Sequence, residues 1–160
     1  MSEVGASTRR VLAALAARGL EVEITEFADS TRTAQEAAAA VGCDVAQIVK
    51  SLIFRATVTN RLVLVLTSGV NRVDEKKLKA ILGEPVKRAD ADFVRERTGF
   101  AIGGVPPVGH TSEPVVLMDE DLLAHDVVWA AAGTPHTVFS VNPARLAEVA
   151  GADVRAVKAS

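Results

Sequence analysis

Thirteen consecutive residues constrain this chain more than any others: Thr98-Gly99-Phe100-Ala101-Ile102-Gly103-Gly104-Val105-Pro106-Pro107-Val108-Gly109-His110. They hold four glycines and two prolines. Such a segment cannot form the interior of a helix or a central strand. Glycine admits backbone angles closed to other residues, and proline fixes φ and removes a donor. The same stretch carries Phe100, Ile102, Val105 and Val108, so it is not a solvated linker. An apolar loop of fixed conformation sets bare backbone N–H groups against a partner, and anions, carbonyl oxygens and sugar hydroxyls suit such concavities. A buried structural turn between two strands has the same composition, and the loop alone leaves both readings open.

At 160 residues, with 49% apolar and 24% charged residues, the chain reads as a single domain spanning 1–160. Five Phe, one Trp and no Tyr give few platforms for stacking successive bases. A net charge of −2 argues against broad, charge-driven binding of DNA or RNA. Gripping one end of an RNA through local cations stays possible, with Lys76, Lys77, Lys79, Lys87 and Arg88 available; a solvated helix face explains the same cluster. Cys43 is the single cysteine, so an internal disulfide is excluded. Arg9-Arg10 before a short apolar run imitates a leader, but Arg18 closes the run and an amphipathic helix ending at Gly19 explains it better. No run is long enough to cross a membrane, and the chain reads as cytoplasmic.

The patterning predicts a helix over 7–18 and a strand over 21–27. Capping-box spacing at Thr33-Ala34-Gln35-Glu36 opens a second helix through Ala40, and Asp44 caps a short one. Apolar strands follow over 48–54 and 62–66, joined by a hairpin. Helices from Asp74 to Leu82 and from Asp90 to Thr98 stop at Gly83 and Gly99. Beyond the Gly/Pro loop come strands over 115–118, 126–131 and 137–141, then a helix opened by Asn142-Pro143 and closed by Gly151. Residues after Val157 are expected to fray. Strands and helices mix without strict alternation, so the fold class is α+β with a mixed or antiparallel sheet.

Lys50 lies inside Ile48-Val49-Lys50-Ser51-Leu52-Ile53-Phe54, where an ammonium needs a snorkelling stem or an anionic partner. Pointing outward from its strand would make it ordinary; beside the Gly/Pro loop it would grip a phosphate or carboxylate. His110, His125 and His136 lack metal-ligand spacing, so no metal is expected. No nucleophile elbow or dinucleotide fingerprint is present, and no cofactor is expected. Cys43, His110 and His136 are the obvious protein-borne nucleophiles or bases, and none is expected to be essential.

Lys50 after a capped Ala-rich helix, Val70-Asn71-Arg72-Val73-Asp74 leading to Lys77, and the Gly-Phe-Ala-Ile-Gly-Gly-Val-Pro-Pro-Val-Gly-His loop together resemble the YbaK/EbsC family. This is the free-standing relative of the editing domain inserted in bacterial prolyl-tRNA synthetases. The resemblance implies a trans-editing aminoacyl-tRNA deacylase acting on the acceptor end of a tRNA mischarged with a small amino acid; a non-catalytic module that binds the tRNA end or an aminoacyl-tRNA synthetase, or a nucleotide- or small-ester-binding protein, would use the same lysine and loop. It also implies a mixed sheet partly closed into a barrel, surrounded by helices. By the same resemblance Lys50 holds the phosphate of the terminal adenosine, and the Gly103 and Gly104 backbone grips the aminoacyl carbonyl or sugar. Pro106, Pro107 and Gly109 fix that loop around the substrate, and Gly133 and His136 belong to a loop lining the amino-acid side.

Overall fold

The computed structural model describes residues 5–28 and 33–160. Helix α1 (Ala6–Ala17) buries Thr8, Val11 and Leu15 along one stripe. Strand β1 is only Ile24–Glu26, shorter than the alternation over 21–27 suggests. Helix α2 (Ala34–Val41) starts where the Thr33 side chain accepts the Glu36 N–H, and stops at Gly42 in the left-handed region. A single 3-10 turn over Val45–Gln47 carries a reciprocal Asp44–Gln47 capping box and delivers the chain into β2 (Val49–Ala56).

Asn60, with φ 64°, turns β2 back into β3 (Leu62–Ser68), every residue of which is buried. Helix α3 (Glu75–Leu82) is capped by Asp74, and β4 (Val86–Arg88) follows. Asp90 caps α4 (Ala91–Thr98), which stops at left-handed Gly99. The Gly/Pro loop then leads into β5 (Val115–Asp119). After a 3-10 segment at Glu120–Ala124 come β6 (Val128–Ala131) and β7 (Thr137–Val141). Helix α5 (Pro143–Ala150), capped by Asn142, precedes β8 (Asp153–Arg155).

The strands form two sheets. One is antiparallel, in the order β1-β7-β6; the other is mixed, in the order β4-β2-β3-β5-β8. Within the second, β2 pairs antiparallel with β3 and β4, while β3–β5 and β5–β8 are parallel. The α+β class with a mixed sheet therefore holds, but the barrel expected from the resemblance does not form. Strand β4 covers β2 only from Phe54 to Ala56, and the two sheets meet at one bridge, Ile48 to Trp129. The edge of β2 between those points stays open, so the hydrogen bonding cannot run around a closed ring.

The C-terminal residues also differ from the expectation of fraying. Lys158 bridges to Val73, and the Ala159 N–H donates to the Arg72 carbonyl at 2.7 Å. One core packs α1, α4, α5 and the Gly/Pro loop against one face of the mixed sheet, through Val11, Leu15, Leu64, Leu66, Phe100 and Val105 among others. A second packs α3 on the opposite face, through Phe54, Val63, Val65 and Leu78.

Candidate functional site

Register decides what the open edge of β2 presents. The Gly69 N–H bonds the Ile48 carbonyl, and the Ala56 N–H bonds the Arg61 carbonyl. Hydrogen-bonded pairs alternate along an antiparallel ladder, so Lys50 and Leu52 spend their amides on Thr67 and Val65. The N–H and C=O of Ser51 consequently turn to the other edge, which β4 does not reach. There a cavity of about 330 Å³ opens, lined by both faces of β2, by Arg88 and Ala89, by Ile102, Gly103 and Val105, and by Trp129, Thr134 and Pro135. Lys50 and Gly103, 53 positions apart in the chain and singled out for different reasons, line one space.

Lys50 is half-buried, and its Nζ donates to the Asn71 carbonyl at 2.7 Å. Its ammonium is held below the ordinary lysine value, first by partial burial and then by the charges of Arg88 and Arg72; Asp119 opposes them. A partly dehydrated ammonium with two arginines acting on it is suited to receive an anion. Of the five basic residues noted in the sequence, Arg88 lines the cavity, whereas Lys77 donates to the Lys158 carbonyl.

The other loop residues separate into two groups. Gly103 has φ 92°, and a Cβ placed on it would meet only Pro135 Cγ, at 3.8 Å. Among the described residues its N–H has no acceptor. Gly104, by contrast, is buried and donates its N–H to the Ala101 carbonyl. A Cβ there would lie 2.7 Å from Thr134 Cα, so glycine is required because two backbones touch.

Pro106 and Pro107 are buried behind the wall. The Gly109 carbonyl accepts from the Arg10 guanidinium, which also lies 4.3 Å from the centre of the Phe100 ring. Gly133, with φ 102°, packs against the Ser7 backbone of α1. The His136 side chain is exposed outside the cavity, while its backbone carbonyl accepts from the Phe27 N–H. Lys50 and Gly103 thus face the space, and Gly104, Pro106, Pro107, Gly109 and Gly133 build what stands behind it.

No histidine, cysteine or carboxylate lines the cavity among the described residues. Burial and the neighbouring Asp44 raise the Cys43 thiol above its ordinary value, which disfavours thiolate. His110 is a latch: its Nε2–H donates to the Pro106 carbonyl at 2.7 Å, and its ring meets Phe100 edge-on. Among the described residues no group of three or more metal-ligating side chains is assembled, and no helix is long and apolar enough to cross a membrane.

The His110 ring has a measurable consequence. Burial above all, then Arg10 and Arg18, hold its pKa below the ordinary 6.5, against the pull of the Pro106 carbonyl. The unfolded chain therefore takes up this proton before the folded one does. The stabilisation is complete above about pH 6.5 and is lost as pH falls through the lower folded value. His110→Gln should flatten that part of the stability profile, as read from denaturant midpoints between pH 7.5 and 5.

Sequence reasoning missed Arg88 as a cavity residue distinct from its basic neighbours, and it missed Trp129 and the open amide edge at Ser51; of the loop over residues 132–136 that the resemblance puts on the amino-acid side, Thr134 and Pro135 line the cavity. Trp129, the single tryptophan, was the available signal.

Comparison with known proteins agrees with this architecture. A crystal structure described as a candidate trans-editing enzyme for prolyl tRNA synthetase superposes with a TM-score of 0.93, at 46% identity, covering 99% of this chain and 100% of the other. The uncharacterised protein YwhH of Bacillus subtilis is 32% identical over 128 residues, 80% of this chain and 81% of that one. The proline–tRNA ligase of Bacillus licheniformis is 34% identical over 149 residues, covering 88% of this chain but 25% of the ligase. The chain thus spans about a quarter of that ligase's length. The family model of the aminoacyl-tRNA editing domain matches residues 28–149. The chain belongs to the aminoacyl-tRNA editing domain family.

Proposed function

We propose that the protein is a trans-editing aminoacyl-tRNA deacylase, hydrolysing the ester between a small amino acid and the 3′ end of a tRNA mischarged by prolyl-tRNA synthetase. The observation that carries this reading is the meeting of Lys50 and Gly103 across one small cavity. Lys50 takes the phosphate preceding the terminal adenosine, and the unpaired Gly103 N–H takes the aminoacyl carbonyl or a ribose oxygen. Gly104, Pro106, Pro107, Gly109 and Gly133 serve the substrate by holding the wall and the facing loop in place.

The remaining walls are largely apolar, with Ile53, Val105, Ala131 and Val138 among them. Such a space excludes larger side chains, which matters because binding alone separates neighbours differing by a methylene by only about 1–3 kcal/mol. The Ser51 carbonyl, on the open strand edge that lines the cavity, serves as an acceptor for the substrate α-ammonium.

The chemistry needs little from side chains. Water adds to the ester carbonyl, and the oxyanion accepts from the loop backbone. The tetrahedral adduct then collapses, the ribose oxygen leaves with a proton, and the free amino acid departs. Proximity and a fixed hydrogen-bond donor suffice for an ester this activated, and the neighbouring ribose hydroxyl orients the water. The decisive assay measures amino-acid release from a panel of mischarged tRNAs, with free aminoacyl esters and nucleotides as controls. Turnover confined to tRNA is expected; binding without release would make the protein a recognition module instead. A 3′-linked substrate lacking the terminal 2′-hydroxyl should be nearly inert, while His136→Ala, Cys43→Ala and His110→Ala retain hydrolysis. Normal cleavage of the deoxy substrate, together with an inactive His136→Ala, would place the base on the protein.

A further inference from the structure

We propose that Asn71 and Asp119 are positioning residues for Lys50, the carboxylate fixing the Asn71 side-chain amide and the Asn71 backbone carbonyl fixing the ammonium. The inference rests on the phosphate-binding role given to Lys50 above. Asp119 ends β5 and is fully buried. Its Oδ2 accepts from Thr67 Oγ1 at 3.0 Å, the Ser68 N–H at 3.1 Å and Asn71 Nδ2 at 2.8 Å; its Oδ1 accepts from the Asp121 N–H at 3.0 Å. All four donors are neutral.

A buried carboxylate is costly unless its charge is balanced, yet among the described residues Asp119 forms no ion pair. Its hydrogen bonds lead instead to Asn71, whose carbonyl receives the Lys50 ammonium at 2.7 Å. Thr67, another donor to Asp119, is the direct cross-strand partner of Lys50.

The second anchor of Asn71 is Asp121 Oδ2, at 2.9 Å, which also pairs with Lys158 at 2.8 Å. Lys158 is itself held by its bridge to Val73 and by Lys77, which donates to its carbonyl at 2.6 Å. The C-terminal residues thereby brace the loop that carries the acceptor of Lys50. One Lys50 donor is thus fixed on the protein, leaving the other two for a phosphate.

The charged groups facing Lys50 are Arg88 from β4, Arg72 from the loop before α3 and Asp119 from β5. Of the three, only Asp119 favours the ammonium, so its charge offsets the two arginines while its hydrogen bonds set the geometry.

Two readouts test this, one independent of turnover. Lysines labelled at 13Cε are titrated by NMR, with the Lys50 signal assigned from its loss in Lys50→Arg. In Asp119→Asn the Lys50 titration should move to lower pH, and in Asn71→Ala, which keeps both carboxylates and the backbone carbonyl, it should move the same way because that carbonyl loses the side-chain anchors that hold it against the ammonium. In deacylation, Asn71→Ala should lose roughly tenfold in kcat/KM, mostly through KM. The double variant Asn71→Ala, Lys50→Ala should be no worse than Lys50→Ala alone, since Asn71 acts through the lysine.

Additive losses, or an unmoved Lys50 titration in the folded variants, would overturn the proposal. If Asp119→Asn does not fold, Asn71→Ala decides. If the wild-type protein releases no amino acid from any tRNA, the deacylase reading fails while the Lys50 titration still decides the positioning.

Discussion

Lys50→Ala is expected to remove most deacylation while leaving the fold intact. The side chain reaches the cavity from β2, makes one hydrogen bond to the Asn71 carbonyl, and is otherwise available to an anion. A hydrogen bond from a charged donor contributes about 1.5–3 kcal/mol, so a loss of roughly 10- to 150-fold in kcat/KM follows from one phosphate contact. Misplacement of the ester relative to the Gly103 backbone adds to it. Stability should change little or rise, because folding partly dehydrates this ammonium and sets it near Arg88 and Arg72. Lys50→Arg should restore the charge but not the compact donor geometry, so only partial activity is expected. Kinetics alongside thermal melts check this: a folded Lys50→Ala protein with full activity would remove the lysine from the mechanism, and a lowered Tm with unchanged kcat/KM would leave it a structural role.

Gly104→Val should damage both stability and activity. The resemblance puts the Gly104 backbone against the substrate, from which a large loss of activity with modest destabilisation is expected. The structure puts the Thr134 backbone there instead, with Cα 2.7 Å and both C and N 2.9 Å from a Cβ at Gly104. Backbone on both sides cannot yield as a side-chain end can, so the loop and the Thr134–Pro135 turn must separate. Forced overpacking of this kind costs about 1–3 kcal/mol and sometimes more, and it moves Gly103 and Pro135 apart across the cavity.

The neighbouring Gly103→Ala is the informative control. Its Cβ has room, at 3.8 Å from Pro135 Cγ, but φ 92° strains any residue with a side chain. A penalty of about 1–2 kcal/mol is expected there, without the separation of the walls. Denaturant midpoints and single-turnover rates on the same preparations distinguish the two. A Gly104→Val protein as stable as wild type would show that the close approach between these backbones is not required.

Much of this molecule can be read from its letters because many of its determinants are local. Thr33, Asp74, Asp90 and Asn142 cap their helices by accepting N–H groups two or three residues ahead, and Gly42, Gly83, Gly99 and Gly151 end them in the left-handed region. The apolar run over 62–66 dictates a strand covered on both faces, and the strand Leu62–Ser68 is buried throughout. The lone lysine of β2 and the Gly/Pro loop stand out for the same reason: each breaks the local pattern around it.

What the letters withhold depends on pairs distant in the chain. Lys50 meets Asn71 across 21 positions, and Asn71 meets Asp119 across 48. In the sequence Asp119 is one acidic residue beside Glu120 and Asp121, with nothing to mark it as the buried member. Strand β8 is three residues long and largely exposed, and it exists because β5 offers it a parallel edge. Which glycine faces the cavity and which supports its wall was decided by the turn at Thr134, which fills the space beside Gly104 and leaves that beside Gly103 open. The cavity itself is the stretch of β2 edge that neither β4 nor β6 pairs. Hydrogen-bond complementarity along an edge belongs to the assembled sheet, and no local preference of the chain encodes where that pairing stops.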